Sequence, residues 1–136
     1  MCLPFCFFIC GKEGTMHYGK DRKNRMVQEI CKYVEDHLCE DLSHVRIQAQ
    51  FGLRPYDLTI TFQKVTGHTL TNYIILLRLK TAIGKVEGGM GVEEAAFASG
   101  FRTYSHFYKV FVKYYGISPR EYFSREKRME REKRDL

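Results

Sequence analysis

Residues 97–122 read FASGFRTYSHFYKVFVKYYGISPREY. Within this stretch Phe107, Val110, Phe111 and Tyr114 recur at the i, i+3, i+4, i+7 spacing of a helix with one buried stripe. Thr103 or a neighbour starts that helix and Gly116 ends it. Just before it, Val92–Ala98 forms a shorter helix ended by Gly100, a residue suited to a tight turn whose geometry a Cβ would penalise. Just after it, Ser118-Pro119-Arg120-Glu121 is a helix start, with Ser at N-cap, Pro at N1 and Glu at N3 as a capping box. That last helix runs through Tyr122–Phe123 and frays into the charged tail, residues 124–136.

The same arrangement occurs earlier in the chain. Phe51-Gly52-Leu53-Arg54-Pro55-Tyr56, followed by Leu58, Phe62 and Gly67, parallels Ser99-Gly100-Phe101-Arg102-Thr103-Tyr104, followed by Phe107, Phe111 and Gly116. The opening glycines are 48 residues apart and the closing ones 49, so the second copy holds one extra residue. In the first copy Ser43 caps a short helix carrying Val45, Ile47 and Ala49. Pro55 at N1 then opens a helix whose core stripe is Leu58, Phe62 and Val65. A short helix, a glycine turn and a longer helix with a polar face make a helix-turn-helix, whose second helix enters the DNA major groove.

Between the two copies lies the most apolar helix, about Thr69–Val86, with Leu70, Tyr73, Ile74, Leu76, Leu77, Leu79, Ile83 and Val86. It would be about 27 Å long. Its apolar groups go most of the way round, which predicts packing on more than one side. Gly84 weakens it by roughly 1 kcal/mol relative to Ala, and Gly88, Gly89 and Gly91 make the next loop pliable. Such a connection lets two recognition helices reach successive major grooves, roughly 34 Å apart, on one face of DNA. Ahead of the first copy, Asn24 to about Leu38 carries Val27, Ile30, Cys31, Val34 and Leu38 on one helical face. No strand-like alternation of useful length is present. The expected class is all-α, with seven helices forming two helix-turn-helix subdomains joined by a long central helix. The first motif takes residues 43–66, the linker helix 69–86 and the second motif 91–115, inside a DNA-binding domain of residues 25–123.

Composition fits that reading. The 136 residues carry 22 Lys plus Arg against 16 Asp plus Glu, a balance of +6. Residues 1–24, 25–123 and 124–136 each contribute +2, so the excess is not a basic tail. The local bias tells more: Arg102, Lys109, Lys113 and Arg120 fall in residues 102–120 with no acid among them. No apolar run approaches the roughly 20 residues that span a bilayer. MCLPFCFFIC at the start has no basic flank and no small-residue cleavage site, so residues 1–24 read as a flexible extension rather than a signal peptide. Cys2, Cys6 and Cys10 recur every four residues, but Pro4 interrupts them and no further ligands stand nearby. Five cysteines, an odd number, suit a reducing compartment. Cys31, on the apolar stripe, is expected to be buried.

The stretches FQKVTGHTLTNYI (residues 62–74) and FASGFRTYSHFYKVFVKYYGISPREY are what make the chain resemble the DNA-binding domain of AraC/XylS-family transcription regulators. The resemblance covers about residues 25–123 and looks like the stand-alone MarA/SoxS/Rob-type architecture. It implies a two-motif, seven-helix reader of asymmetric duplex sites, a monomer that activates transcription by contacting RNA polymerase. The localisation it implies is cytoplasmic, on the nucleoid.

The family's base-reading positions map onto Tyr56, Thr59 and Ile60 in the first motif, and onto Tyr104, Ser105, Tyr108 and Lys109 in the second. Gln63 joins the first set because it lies on the same outward face as these residues. Lys109 suits guanine acceptors or phosphate, and Ser105 and the tyrosine hydroxyls suit bases or phosphates. Arg54, Lys64, Arg102 and Lys113 are phosphate candidates. The first motif departs from the family pattern. Arg54 replaces a Ser-like cap, Gln48 a small Ala, and His44 an apolar residue. Ile60 stands where an Arg is common, and Asp57 adds negative charge. Ile60 can touch a thymine methyl but donates no hydrogen bond. The second motif is therefore expected to supply more of the affinity.

Two other readings compete. Cys31, Asp36 and His37 lie close in sequence, but a catalytic nucleophile needs spatial convergence and a pocket that this spacing does not supply. No enzyme activity is expected. His17, His37, His44, His68 and His106 are scattered without metal-ligand spacing, so neither metal nor cofactor is expected. The stronger rival is a family-derived regulator with a decayed first motif that works through protein contacts and binds DNA weakly.

Overall fold

The computed structural model describes residues 18–135. They form seven helices: α1 Tyr18–Asp36, α2 His44–Phe51, α3 Pro55–Thr66, α4 Leu70–Glu87, α5 Val92–Ala98, α6 Tyr104–Tyr115 and α7 Pro119–Arg134. No strand occurs among the described residues, and none of their helices is long and apolar enough to cross a membrane. Cys2, Cys6, Cys10 and His17 lie outside the described residues.

Both ends of the helical region are longer than periodicity indicates. Helix α1 begins at Tyr18 rather than near Asn24, so residues 18–24 belong to a helix. Helix α7 continues to Arg134 rather than fraying after Phe123. These segments carry few apolar residues, so no buried stripe marks them in the sequence. Glu, Lys, Arg and Met are nonetheless strong helix formers, and Arg131, Lys133 and Arg134 suit the negative end of the helix dipole.

The predicted caps form. Ser43 Oγ accepts from Arg46 N at 3.3 Å, Thr103 Oγ1 from His106 N at 3.1 Å and Ser118 Oγ from Glu121 N at 3.2 Å. Thr69 Oγ1 accepts from Asn72 N and so caps α4 in the same way. The capping box at Ser118 is only half made. The Glu121 carboxylate turns forward to accept from Arg125 Nη2 at 2.6 Å.

The described chain divides at Leu77 and Arg78 into two compact units, and the division falls inside α4. In the first unit Val27, Ile30, Cys31 and Val34 of α1 are fully buried with Ile47 of α2 and Leu58 and Phe62 of α3. Phe62 meets the Tyr73 ring edge-on, with centroids 5.5 Å apart. Val45, read as part of the apolar face of α2, is 74% exposed, and Val65 is only half-buried. Helix α2 has eight residues and one buried position, so it offers the core a point rather than a stripe. In the second unit Leu79, Ala82, Ile83, Ala95, Ala96, Phe101, Phe107, Phe111 and Phe123 are buried. Lys85 Nζ donates to Ala98 O at 2.9 Å and closes the end of α5, where carbonyls lack helical partners.

Helix α4 is apolar most of the way round because its two halves serve different cores. Leu70, Tyr73, Ile74 and Leu77 share one helical face and are buried in the first unit. Leu79, Ala82 and Ile83 lie on the opposite face and are buried in the second.

Two tests follow from backbone and burial. Gly52 closes α2 at φ +63°, whereas Gly84 lies inside α4, where an added Cβ meets nothing within 4 Å. Gly52→Ala should destabilise by about 1–2 kcal/mol, and Gly84→Ala should stabilise by about 1 kcal/mol, both read from urea unfolding. In the second unit burial, helped by the Glu126 carboxylate, pushes the Tyr122 hydroxyl up to about 12. The unfolded chain loses that proton near its ordinary value of about 10. The stabilisation is therefore complete below that value and is lost as pH rises toward about 12. Glu126→Gln should move the alkaline tyrosinate absorbance transition toward lower pH. An unchanged transition would exclude Glu126 as a cause.

Candidate nucleic-acid interface

In each motif a pair of fully buried rings or aliphatic groups fixes which side of the second helix faces outward. Leu58 and Phe62 do this in α3, and Phe107 and Phe111 in α6. The pairs are 49 residues apart, as are the closing glycines Gly67 and Gly116, at φ +76° and +77°. The two copies of the helix therefore superpose position by position. Ser105 corresponds to Tyr56, Tyr108 to Thr59, Lys109 to Ile60 and Val112 to Gln63.

The turns hold the register differently. Leu53 N donates to Gln48 O at 3.0 Å, and Phe101 N donates to Ala96 O at 3.2 Å. These equivalent bonds are 48 residues apart, so the copies are still in the shorter register at that point. The N-caps Arg54 and Thr103 are already 49 apart. The extra residue of the second copy is thus Arg102, in the turn itself. In the linear repeat Arg54 aligns with Arg102. The structure pairs Arg54 with Thr103, and the hydroxyl that caps α6 has only an uncapped arginine as its counterpart on α3.

Of the first set, Tyr56 is 73% exposed, Thr59 and Gln63 are exposed and Ile60 is half-buried. Of the second, Ser105, Tyr108 and Lys109 are exposed and Tyr104 is half-buried. Tyr104 lies against the Phe107 ring at 5.7 Å and the Tyr108 ring at 6.4 Å. Burial, with Glu93 and Tyr108 nearby, raises its hydroxyl above the ordinary range, so it keeps its proton. Tyr104, Ser105, Tyr108 and Lys109 form one ridge along the outward side of α6. Tyr114, placed on the inward stripe by periodicity, is 37% exposed. It sits in the last turn, where the Lys113 ammonium lies 5.6 Å from its ring centre. Tyr115, equally exposed at 36%, still lays one face of its ring on Phe111, with centroids 4.7 Å apart.

The electrostatics of the two helices differ. Arg54 Nε donates to Asp57 Oδ2 at 2.8 Å, so the cation that opens α3 is paired within its own first turn. Lys64 remains at the far end of α3 and is exposed. On α6 Lys109 and Lys113 are exposed, and neither is in an ion pair among the described residues. The first motif also compensates for its unusual residues. His44 Nε2 is 3.1 Å from Thr71 Oγ1, which ties α2 to α4 through a polar contact at an apolar position. Ala96 is fully buried where its counterpart Gln48 is half-buried.

No His, Cys, Asp or Glu cluster suited to a metal occurs among the described residues. Cys31 is buried in the core as expected, and Cys39 is exposed.

Known proteins share this arrangement. A helix-turn-helix domain family matches residues 47–125. The transcriptional activator RhaS of Escherichia fergusonii is 28% identical over 111 residues, covering 81% of this chain and 40% of that protein. The melibiose operon regulatory protein of Escherichia coli K12 is 30% identical over 80 residues, covering 58% of this chain and 24% of that protein. The chain thus spans less than half the length of these curated relatives. A solved DNA-binding transcriptional dual regulator from Escherichia coli K-12 shares the fold at a TM-score of 0.63 and 22% identity, over 74% of this chain and 96% of that one. The family consists of transcription regulators rather than enzymes. With two glycine-turned motifs, each exposing the outer side of its second helix, the chain belongs to the AraC-type helix-turn-helix family and carries its DNA-binding domain.

Proposed function

We propose that the protein reads an asymmetric duplex site as a monomer, with α3 and α6 in successive major grooves, and activates transcription through contact with RNA polymerase. In this reading it acts in the cytoplasm, on the nucleoid. Tyr56, Thr59, Ile60 and Gln63 meet bases through α3, and Tyr104, Ser105, Tyr108 and Lys109 through α6. Arg54, Lys64, Arg102 and Lys113 meet phosphates. The observation that carries the reading is the outward ridge of α6, with two unpaired lysines and no acid on the helix. The resemblance to an activator, RhaS, supports the direction of regulation.

The Arg54–Asp57 pair favours an unequal division of labour. With Asp57 beside it, Arg54 brings a phosphate less net charge than the unpaired lysines of α6 do, and Ile60 offers a base only apolar contact. The second motif then supplies most of the affinity and the first adds readout of thymine methyls.

Selection from a randomised duplex pool tests this directly. Two enriched blocks about one helical turn apart are expected. Lys109→Ala should erase preference in one block, weaken binding and lower the log–log salt slope by about one unit. Ile60→Arg should tighten binding to unselected duplex. Absence of any enriched block, with full stability retained, would favour the regulator that works through protein contacts.

A further inference from the structure

Helix α7 sorts its charges by face. At about 100° per residue, Arg120, Lys127, Arg128, Arg131 and Arg134 occupy one sector of about 120°, shared with Ser124 and, at the C-cap, Asp135. All five cations are exposed. Glu126 and Glu130 lie toward the buried side with Phe123, where they line a groove with Glu87, Val86 and Met90, and Lys127 reaches the edge of the same groove. Glu121 is held by Arg125 on a third side. Among the described residues Arg125 is the one cation of α7 in an ion pair. Lys127 and Arg131 are like charges at i, i+4, a spacing that costs a helix about 0.2–0.5 kcal/mol, while Arg128 with Glu132 and Glu130 with Arg134 are opposite charges at that spacing.

We infer that this sector of α7 is a second DNA-contacting surface, a backbone clamp that grips phosphates beside the site read by α6. The inference rests on the DNA-binding reading above and extends its surface. Three features select duplex DNA as the occupant. The sector holds no apolar or aromatic side chain, whereas a protein partner draws its affinity from buried anchors and a membrane needs inserted apolar groups. Four of its five cations are arginines, whose planar forks match phosphate oxygens. It is also continuous with the acid-free stretch of the second motif, since Arg120 closes residues 102–120 and opens the sector. From Arg120 to Arg134 it extends about 21 Å. Lys127, Arg128, Arg131 and Arg134 lie beyond residues 47–125, the stretch that the helix-turn-helix family matches.

The test uses the full chain and a fluorescent random-sequence duplex of about three helical turns, titrated between about 50 and 200 mM KCl. The stripe variant replaces Lys127, Arg128, Arg131 and Arg134 with Gln. It should keep its helical circular dichroism, bind about tenfold or more weakly and lose about three units of salt slope. A control variant, Arg125→Gln with Lys133→Gln, removes two cations from outside the sector and should change the slope by well under one unit. An unchanged slope in the stripe variant overturns the clamp, and so does an equal loss per charge in the control. Lys109→Ala measured alongside separates the two claims. If it weakens binding while the stripe variant does not, only the clamp fails; if neither variant has an effect, the DNA-binding reading fails with it.

Discussion

The structure depends on the complete burial of two side chains four residues apart in each motif. Phe107 and Phe111 lie at the centre of the second unit, and Phe111 contacts Tyr115, Tyr122 and Phe123 as well as Phe107. Removing one such ring from a core costs about 3–5 kcal/mol. That is a large share of a small domain's stability, so rotation of α6 about its axis is forbidden. With the inner face fixed, helical geometry turns Ser105, Tyr108 and Lys109 outward. Recognition residues are presented by what lies behind them.

The repeat shows how one framework can carry two unequal surfaces. Leu58, Phe62 and Gly67 reproduce the frame of Phe107, Phe111 and Gly116, yet the outer residues have changed from Ser, Tyr and Lys to Tyr, Thr and Ile. The turn has changed too. Inserting Arg102 lengthens the approach to α6 and leaves Thr103 at the cap, where its hydroxyl satisfies a helix amide. On α3 the cap falls to Arg54, which pairs with Asp57 and leaves that amide without a side-chain acceptor. A hydroxyl at an N-cap is worth about 1 kcal/mol. Pro55 offsets part of that loss, because its ring presets the first helical φ.

Much of the fold was legible because its signals are local. The caps at Ser43, Thr103 and Ser118, the stops at Gly52, Gly67 and Gly116, and the stripes through Val27–Val34 and Phe107–Phe111 act within one or two helical turns. Three readings failed for reasons that are not local. Tyr114 fits the inward period but sits in the last turn, where its ring meets Lys113. Val45 has the right chemistry for a core, yet α2 touches the core only through Ile47. The length of α7 is not legible in apolar periodicity, which does not register a charged helix. The position of its cations, read at helical spacing, would have revealed the sorted face.

By itself the sequence determined the number of helices, their order, the two glycine turns and the outward side of each second helix. Backbone hydrogen bonding, cap chemistry and apolar spacing act over a few residues, and one chain displays all three. Only the tertiary structure decided that the extra residue is Arg102, that Arg54 is tied to Asp57, and that α4 changes its buried face between Leu77 and Leu79. Those outcomes depend on which groups compete for the same space and the same charge. A sequence lists the competitors, but packing selects among them.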